Sequence, residues 1–139
     1  MAPTEPELKE KSEQASQAAK QFSQIFYEYF DKKRHAIKNL YLDSATMIWN
    51  GHAVSGKDEI VKFLEDLPTA EHTLTSLDSH PLIEPVVTDQ TSIMVTVFGK
   101  VDYRDSKPKS FYQTFILTSQ GNVWKIVSDT FRFLETGPS

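Results

Sequence analysis

The side chains with the widest chemical range in this sequence are four histidines, His35, His52, His72 and His80. None is spaced as a metal-ligand set such as His-Glu-x-x-His requires. Asp43, Asp78 and Asp129 each fall near an expected strand, where a carboxylate opening into a sheet cavity could serve as a general base. No partner acid or base stands at a fixed interval from any of them, so each reads as a turn former, a helix-cap acceptor or a surface charge. The sequence has no cysteine, which excludes disulfides, thiolate metal sites and a cysteine nucleophile. With no triad, phosphate loop or cofactor signature, the chain is expected to be non-catalytic and to need no metal or cofactor.

Arg132 offers a different chemistry. It lies between Phe131 and Phe133 in an expected strand, and an arginine so placed needs a carboxylate, a stacked ring or water. An acidic side chain of the same molecule is one partner, and an intersubunit salt bridge is the other. The neighbouring strand alternates Phe111, Gln113, Phe115 and Leu117 with Tyr112, Thr114, Ile116 and Thr118. A sheet face left in water normally alternates towards charge, yet neither of these faces carries one. The final strand places Val123, Val127, Phe131 and Phe133 on one side and Trp124, Ile126, Ser128, Thr130 and Arg132 on the other. Helices can cover one face of such a sheet; the second, mixed aliphatic, hydroxyl and aromatic, has the make-up of an interface core. Hairpin register decides which residues share it, because a one-residue slip exchanges the two sides. A three-residue loop at Gln120-Gly121-Asn122, pairing Ser119 with Val123, is favoured. It places Tyr112, Thr114 and Ile116 beside Trp124, Ile126, Ser128, Thr130 and Arg132, keeping the arginine among polar-capable neighbours.

The elements that position these residues follow from periodicity. Ala15, Ala18, Ala19, Phe22, Ile25, Phe26, Tyr29 and Phe30 recur at helical spacing, predicting a long amphipathic helix over about 15–30. A second, short helix is expected over 32–42 with Ile37, Leu40 and Tyr41 inward. The basic run Lys32, Lys33 and Arg34 reads as a solvated face near a helix C-terminus, with a docking patch as the alternative. The β-forming run at 46–49 meets Asn50-Gly51, the strongest short hairpin signal, with His52, Ala53 and Val54 beyond it. Ser55 and Asp58 fit a capping-box variant, Ile60, Val61, Phe63, Leu64 and Leu67 form a third helical stripe, and Pro68 ends it. Strands are then expected over 71–78, 91–103, 110–118 and 123–134 as an antiparallel meander, with Gly99 at a bulge or bend.

At 139 residues the chain has the size of one domain, and its 12% aromatic content implies a packed core. The segment 1–14 is expected to be a flexible lead, 15–135 the domain and 136–139 a tail. Residues 1–12 lack a signal peptide's apolar run, and no stretch approaches a membrane span. Net charge is −4, and the sequence has no basic stripe, which argues against direct nucleic-acid binding. Helices followed by strands argue for an α+β domain with helices on one face of a curved antiparallel sheet.

The order helix, helix, Trp-x-Gly hairpin, helix, four-strand meander ending in Ser128-Asp129-Thr130-Phe131-Arg132-Phe133 resembles the nuclear transport factor two family. The matching stretches are Trp49-Asn50-Gly51 with Ala53-Val54-Ser55-Gly56, then Phe111-x-Gln113-x-Phe115-Ile116-Leu117-Thr118, then Val123-Trp124-Lys125-Ile126 through Phe133. Within the family the likeness is greater to its export-type members. The resemblance implies a cone-shaped fold that pairs sheet to sheet with the similar domain of a large mRNA export receptor. It transfers to Arg132 a contact with an acidic receptor residue, and it puts Thr96, Thr114 and Thr130 at the centre of the pairing face. It further implies Phe-Gly nucleoporin binding through the heterodimer and shuttling between nucleus and cytoplasm through the nuclear pore. The homodimeric import carrier for GDP-bound Ran is the main alternative; Asn50, where that carrier has glutamate, and Arg104 argue against Ran binding. A small-molecule isomerase or dehydratase on the same fold is a third class.

Overall fold

A computed structural model of the chain describes residues 4–82, 90–121 and 123–134. The expected tail 136–139 and Asn122 of the last hairpin lie outside the described residues. The first helix, α1 (Glu5–Lys32), begins ten residues before the apolar stripe. Thr4 is extended and its side chain accepts from the Glu7 amide at 3.3 Å. Pro6 stands in the first turn, where no amide is needed, and Glu5 and Glu7 sit at the positive helix end. Residues 5–14 all face water, so periodicity carried no trace of them. Ala15, Ala18, Ala19, Phe22, Phe26 and Phe30 are buried as expected, whereas Ile25 is exposed and Tyr27 faces inward.

A 3₁₀ helix (Arg34–Leu40) follows, burying Ile37 and Leu40. Lys32 and Lys33 are solvated, but Arg34 is not part of a wet face. Its Nε donates to the Phe30 carbonyl at 3.1 Å, Nη1 to Leu64 at 3.2 Å and to Leu67, and Nη2 to Pro68 at 2.8 Å. One guanidinium thereby satisfies carbonyls at the C-terminal ends of two helices, where orphan acceptors and the negative dipole end coincide.

Strands β1 (Tyr41–Trp49) and β2 (His52–Ser55) form the expected hairpin, and positive φ at Asn50 (47°) and Gly51 (89°) is what Asn-Gly supplies. The capping box at Ser55 does not form. Ser55 is the last residue of β2, paired with Thr46, and Gly56, at φ 90°, is the N-cap of α2 (Lys57–Glu65). The pairing with β1 claims Ser55 for the sheet before the helix can use it.

The remaining strands are β3 (Ala70–Leu82), β4 (Ser92–Tyr103), β5 (Lys109–Gln120) and β6 (Val123–Phe133). They complete a six-stranded sheet in the order β2-β1-β6-β5-β4-β3. The expected meander runs through β3 to β6, but the sheet is not wholly antiparallel, because β1 lies parallel to β6. Gly99 has the expected kind of purpose. The register of β3 shifts between Leu74 and Ser76 opposite it, and a Cβ on Gly99 would lie 2.3 Å from the Thr73 carbonyl oxygen.

The last hairpin corrects the expected register. Gln120 pairs with Val123, and Leu117 with Ile126, a phase that puts even residues of one strand beside odd residues of the other. A bulge then intervenes: Ile116 pairs with Ser128, leaving Val127 as the extra residue. Beyond it Thr114 pairs with Thr130 and Tyr112 with Arg132, so the expected shared face is restored from residue 128 onward. Trp124 and Ile126 are the casualties; they do not share that face, and Ile126 is fully buried in the core with Leu117.

Core side chains from all three helices meet one face of the sheet. Phe22 and Phe26 pack edge-on against Phe115 at centroid distances of 5.3 and 4.8 Å, and Trp49 stacks flat on Phe131 at 3.9 Å. The architecture is therefore α+β, with helices covering one face of a curved, open sheet. Among the described residues, none forms a layer over the other face.

Candidate functional site

Strand pairing arranges the uncovered face in rows. Ile48, Thr130, Thr114, Thr96 and Asp78 lie directly opposite one another across β1, β6, β5, β4 and β3. On one side of this row run Thr46, Ser128, Ile116, Met94 and His80, and on the other Arg132, Tyr112, Phe98 and Ser76. All seven residues expected at the interface, Thr96, Tyr112, Thr114, Ile116, Ser128, Thr130 and Arg132, share this face. The first six are half-buried and Arg132 is exposed. Thr96 and Thr114 bring their hydroxyls within 3.4 Å, and Phe98 lies 6.0 Å from the Tyr112 ring. Among the described residues Arg132 has no ion-pair partner.

Sequence reasoning missed two of the most exposed apolar residues here, Ile48 at 44% and Phe98 at 42%. The signal was available in alternation: Met94, Thr96 and Phe98 share a phase, as do Thr46 and Ile48. Chemically, this face offers apolar area, hydroxyls that hydrogen-bond in either direction, and one free guanidinium. That combination fits another protein's sheet better than it fits a small molecule.

Beneath the same strands lies a polar chain that the sequence did not reveal. Tyr27 donates to Gln113 Oε1 at 2.7 Å, Gln113 Nε2 to Asp129 Oδ1 at 2.7 Å, and Tyr41 to Asp129 Oδ2 at 2.8 Å. Asp129 is thus neither a turn former nor a surface charge; it is 1% exposed. Burial pushes its carboxyl up to about 6, against the opposing pull of the Gln113 and Tyr41 hydrogen bonds. Burial and the nearby Asp129 charge raise both tyrosines well above their ordinary range. The other two aspartates do lie at the surface, Asp43 against Lys57 at 3.0 Å and Asp78 beside His80 at 3.4 Å.

A histidine–aspartate pair also exists, contrary to the sequence reading. His72 Nδ1 lies 2.7 Å from Asp31 Oδ1, and the His72 amide donates to Oδ2 at 2.8 Å. The imidazole is 1% exposed and walled in by Tyr27, Phe30 and Phe111. Among the described residues, neither His72 nor Asp129 lines a described surface cleft, and the most enclosed of those clefts, about 320 Å³, is lined by Lys11, Gln14, Ile93 and Trp124. Both groups have the ingredients of acid–base chemistry, and of their members Asp31 reaches one of these clefts, beside Phe30, Arg34 and His35. Among the described residues no cluster could hold a metal ion.

Comparison with known proteins gives the chain's family and fold. The family model described as the nuclear transport factor 2 (NTF2) domain matches residues 18–133. NTF2-related export protein 2 of Homo sapiens is 44% identical over 131 residues, spanning 91% of this chain and 92% of that one. Among solved structures, nuclear transport factor 2 from Cryptosporidium parvum aligns with a TM-score of 0.74 and 28% identity, over 87% of this chain and 95% of that one. The C. albicans Mtr2–Mex67 M domain complex contains a chain of the same fold, with a TM-score of 0.70 at 15% identity over 91% of this chain and 99% of that one. The match extends from within α1 to the end of β6, and the chain belongs to the nuclear transport factor 2 (NTF2) domain family.

Proposed function

We propose that this protein is a non-catalytic nucleocytoplasmic transport cofactor that docks its uncovered sheet face on the similar domain of a large mRNA export receptor. The observation that carries the reading is the free guanidinium of Arg132 at the corner of a face whose central rows are threonine, serine and exposed aliphatic or aromatic residues. A face of this make-up is complementary to a second sheet carrying an acidic residue opposite Arg132. Relatives of this identity named for export, and a chain of the same fold in a complex with the Mex67 M domain, support the choice of partner. In this role the chain buries the receptor's sheet, and Phe-Gly nucleoporins are engaged by the heterodimer, mainly through the receptor. Shuttling between nucleus and cytoplasm and poly(A) mRNA export follow from that assembly.

Titration of the receptor domain with wild type and Arg132→Ala tests the proposal. The expected result is a heterodimer that the substitution weakens by about 2–5 kcal/mol, with the circular dichroism of the isolated chain unchanged. Equal affinity of both proteins for the receptor domain would remove Arg132 from the interface. Co-purification of a homodimer with GDP-bound Ran, and not with the receptor, would overturn the export reading.

A further inference from the structure

The two edge strands of the sheet, β2 and β3, are built differently. β3 is blunted along its length. It carries Pro81, its register breaks between Leu74 and Ser76, and two of its amides are taken by carboxylates, His72 donating to Asp31 at 2.8 Å and Ser79 to Asp78 at 2.9 Å. Such devices keep a sheet edge from pairing with another chain. β2 carries none of them: its residues are His52, Ala53, Val54 and Ser55, paired with β1 without a register shift. We infer that β2 is a docking edge, to which an extended segment of a partner protein adds as a further antiparallel strand, with a basic and then an apolar residue two positions apart seated against α2.

The hairpin register decides which backbone groups are on offer. Trp49 faces His52 across the two-residue turn and Met47 faces Val54. Pairs along an antiparallel ladder alternate between exchanging both bonds and exchanging none, and the closing pair of such a turn exchanges both. Ala53 and Ser55 therefore turn amide and carbonyl to the open edge. Two flanking bonds fix the same phase: the Asn50 amide reaches the Phe131 carbonyl on the far side of β1, and the Gly56 amide returns to the Ala45 carbonyl. Ala53 and Ser55 are exposed, and among the described residues no turn, loop or cap bond claims their backbone. A strand this short offers few backbone bonds, so side chains must supply the rest of the affinity and all of the selectivity.

Helix α2 provides them. A cleft of about 440 Å³ lies between β2 and α2, with Glu59, Lys62, Phe63 and Asp66 on its helix side. Phe63 stacks on His52 at 5.6 Å and meets Trp49 edge-on at 5.7 Å, which makes that end aromatic. α2 starts two residues after Ser55, so its first turn, with Glu59, stands at the other end. His52 and Val54 share the helix-covered face with Trp49 and Met47, and residues of an added strand opposite them share it too. The one opposite His52 meets Phe63; the one opposite Val54 meets Glu59. Glu59 and Asp66 outnumber Lys62, and among the described residues none of the three has an ion-pair partner. Charge complementarity thus asks for a lysine or arginine at the Glu59 end and an apolar side chain at the Phe63 end. In an antiparallel segment the basic residue comes first.

The test uses the full chain, isotope-labelled for amide spectra, and a short, end-blocked, dye-labelled peptide rich in threonine that carries lysine and leucine two positions apart in that order. Saturable binding is expected, with amide shifts concentrated in β2 and α2. Ala53→Pro removes an outward amide while sparing the bonds to β1, and should weaken binding about tenfold or more. Glu59→Lys should weaken it about three- to tenfold, and a peptide with glutamate in place of lysine should reverse the preference between the two proteins. That exchange stands as a test even if the proline variant fails to fold. No saturable binding by wild type, shifts confined to the rows around Thr114 and Thr130, or full affinity in both variants would overturn the inference. Self-association of wild type that Ala53→Pro abolishes would assign the edge to a second copy and would also overturn it. None of these outcomes bears on the receptor complex, which takes no part in the measurement.

Discussion

Asp129 is a carboxylate enclosed in the core with both oxygens engaged. Its folded-state value of about 6 lies above the ordinary 3.8, so the folded protein holds the extra proton between those two pH values. Stability from the protonated carboxyl is fully present below about pH 3.8 and is lost as pH rises through about 6. The separation corresponds to on the order of 3 kcal/mol. Asp129→Asn removes the titration, and urea melts at a series of pH values between about 4 and about 7 should show the difference in stability between the two proteins changing across that window. A constant difference would mean that Asp129 does not titrate in the folded chain. Nothing in the sequence around residue 129 announces this, because its partners Tyr41 and Gln113 are 88 and 16 residues away and are brought in only by topology. The same holds for His72 and Asp31, 41 residues apart. A histidine–aspartate pair is legible in sequence only when both stand on one element.

At the scale of elements, the local chemistry was legible and the exceptions were long-range. The apolar stripe placed the buried half of α1, and Asn50-Gly51 placed the first hairpin to the residue, since both signals are complete within a few turns or bonds. The parallel pairing of β1 with β6 was not legible, because the partner strand lies more than 70 residues downstream and the pattern of β1 is the same for either direction. The face shared by Tyr112, Thr114, Ser128, Thr130 and Arg132 was read correctly through an incorrect turn. The hairpin is one residue tighter than expected, and the bulge at Val127 restores the phase. Gly99 shows how closely these strands are fitted. Gly99→Ala would press a methyl group against the backbone of Thr73 and Leu74, which cannot rotate away. A loss of roughly 3 kcal/mol is expected, at the upper end of overpacking effects, and faster amide exchange along β3 should accompany it. An unchanged melting temperature would show that β3 can step back at little cost.

For the whole molecule, the contrast between its two sheet faces governs behaviour. One is filled by rings and aliphatic chains from three helices; the other presents half-buried hydroxyls with Ile48 and Phe98 standing out. Phe98→Ala therefore separates folding from docking. It should leave the melting temperature of the isolated chain nearly unchanged, within the usual range for surface positions. On the proposed docking it should weaken the receptor complex by about tenfold, as loss of an aromatic anchor does. A matched loss of both would place Phe98 in the fold and not in the interface. The bulge at Val127 has one more consequence. It uncouples the tip of the last hairpin from the docking rows, since pairing above and below it runs in opposite phase. Gly121, exposed and in a left-handed conformation at the tip, is thus a place where added residues or a reporter dye can be carried without disturbing the threonine rows. The domain comes with its own handle, one that could follow partner exchange in real time.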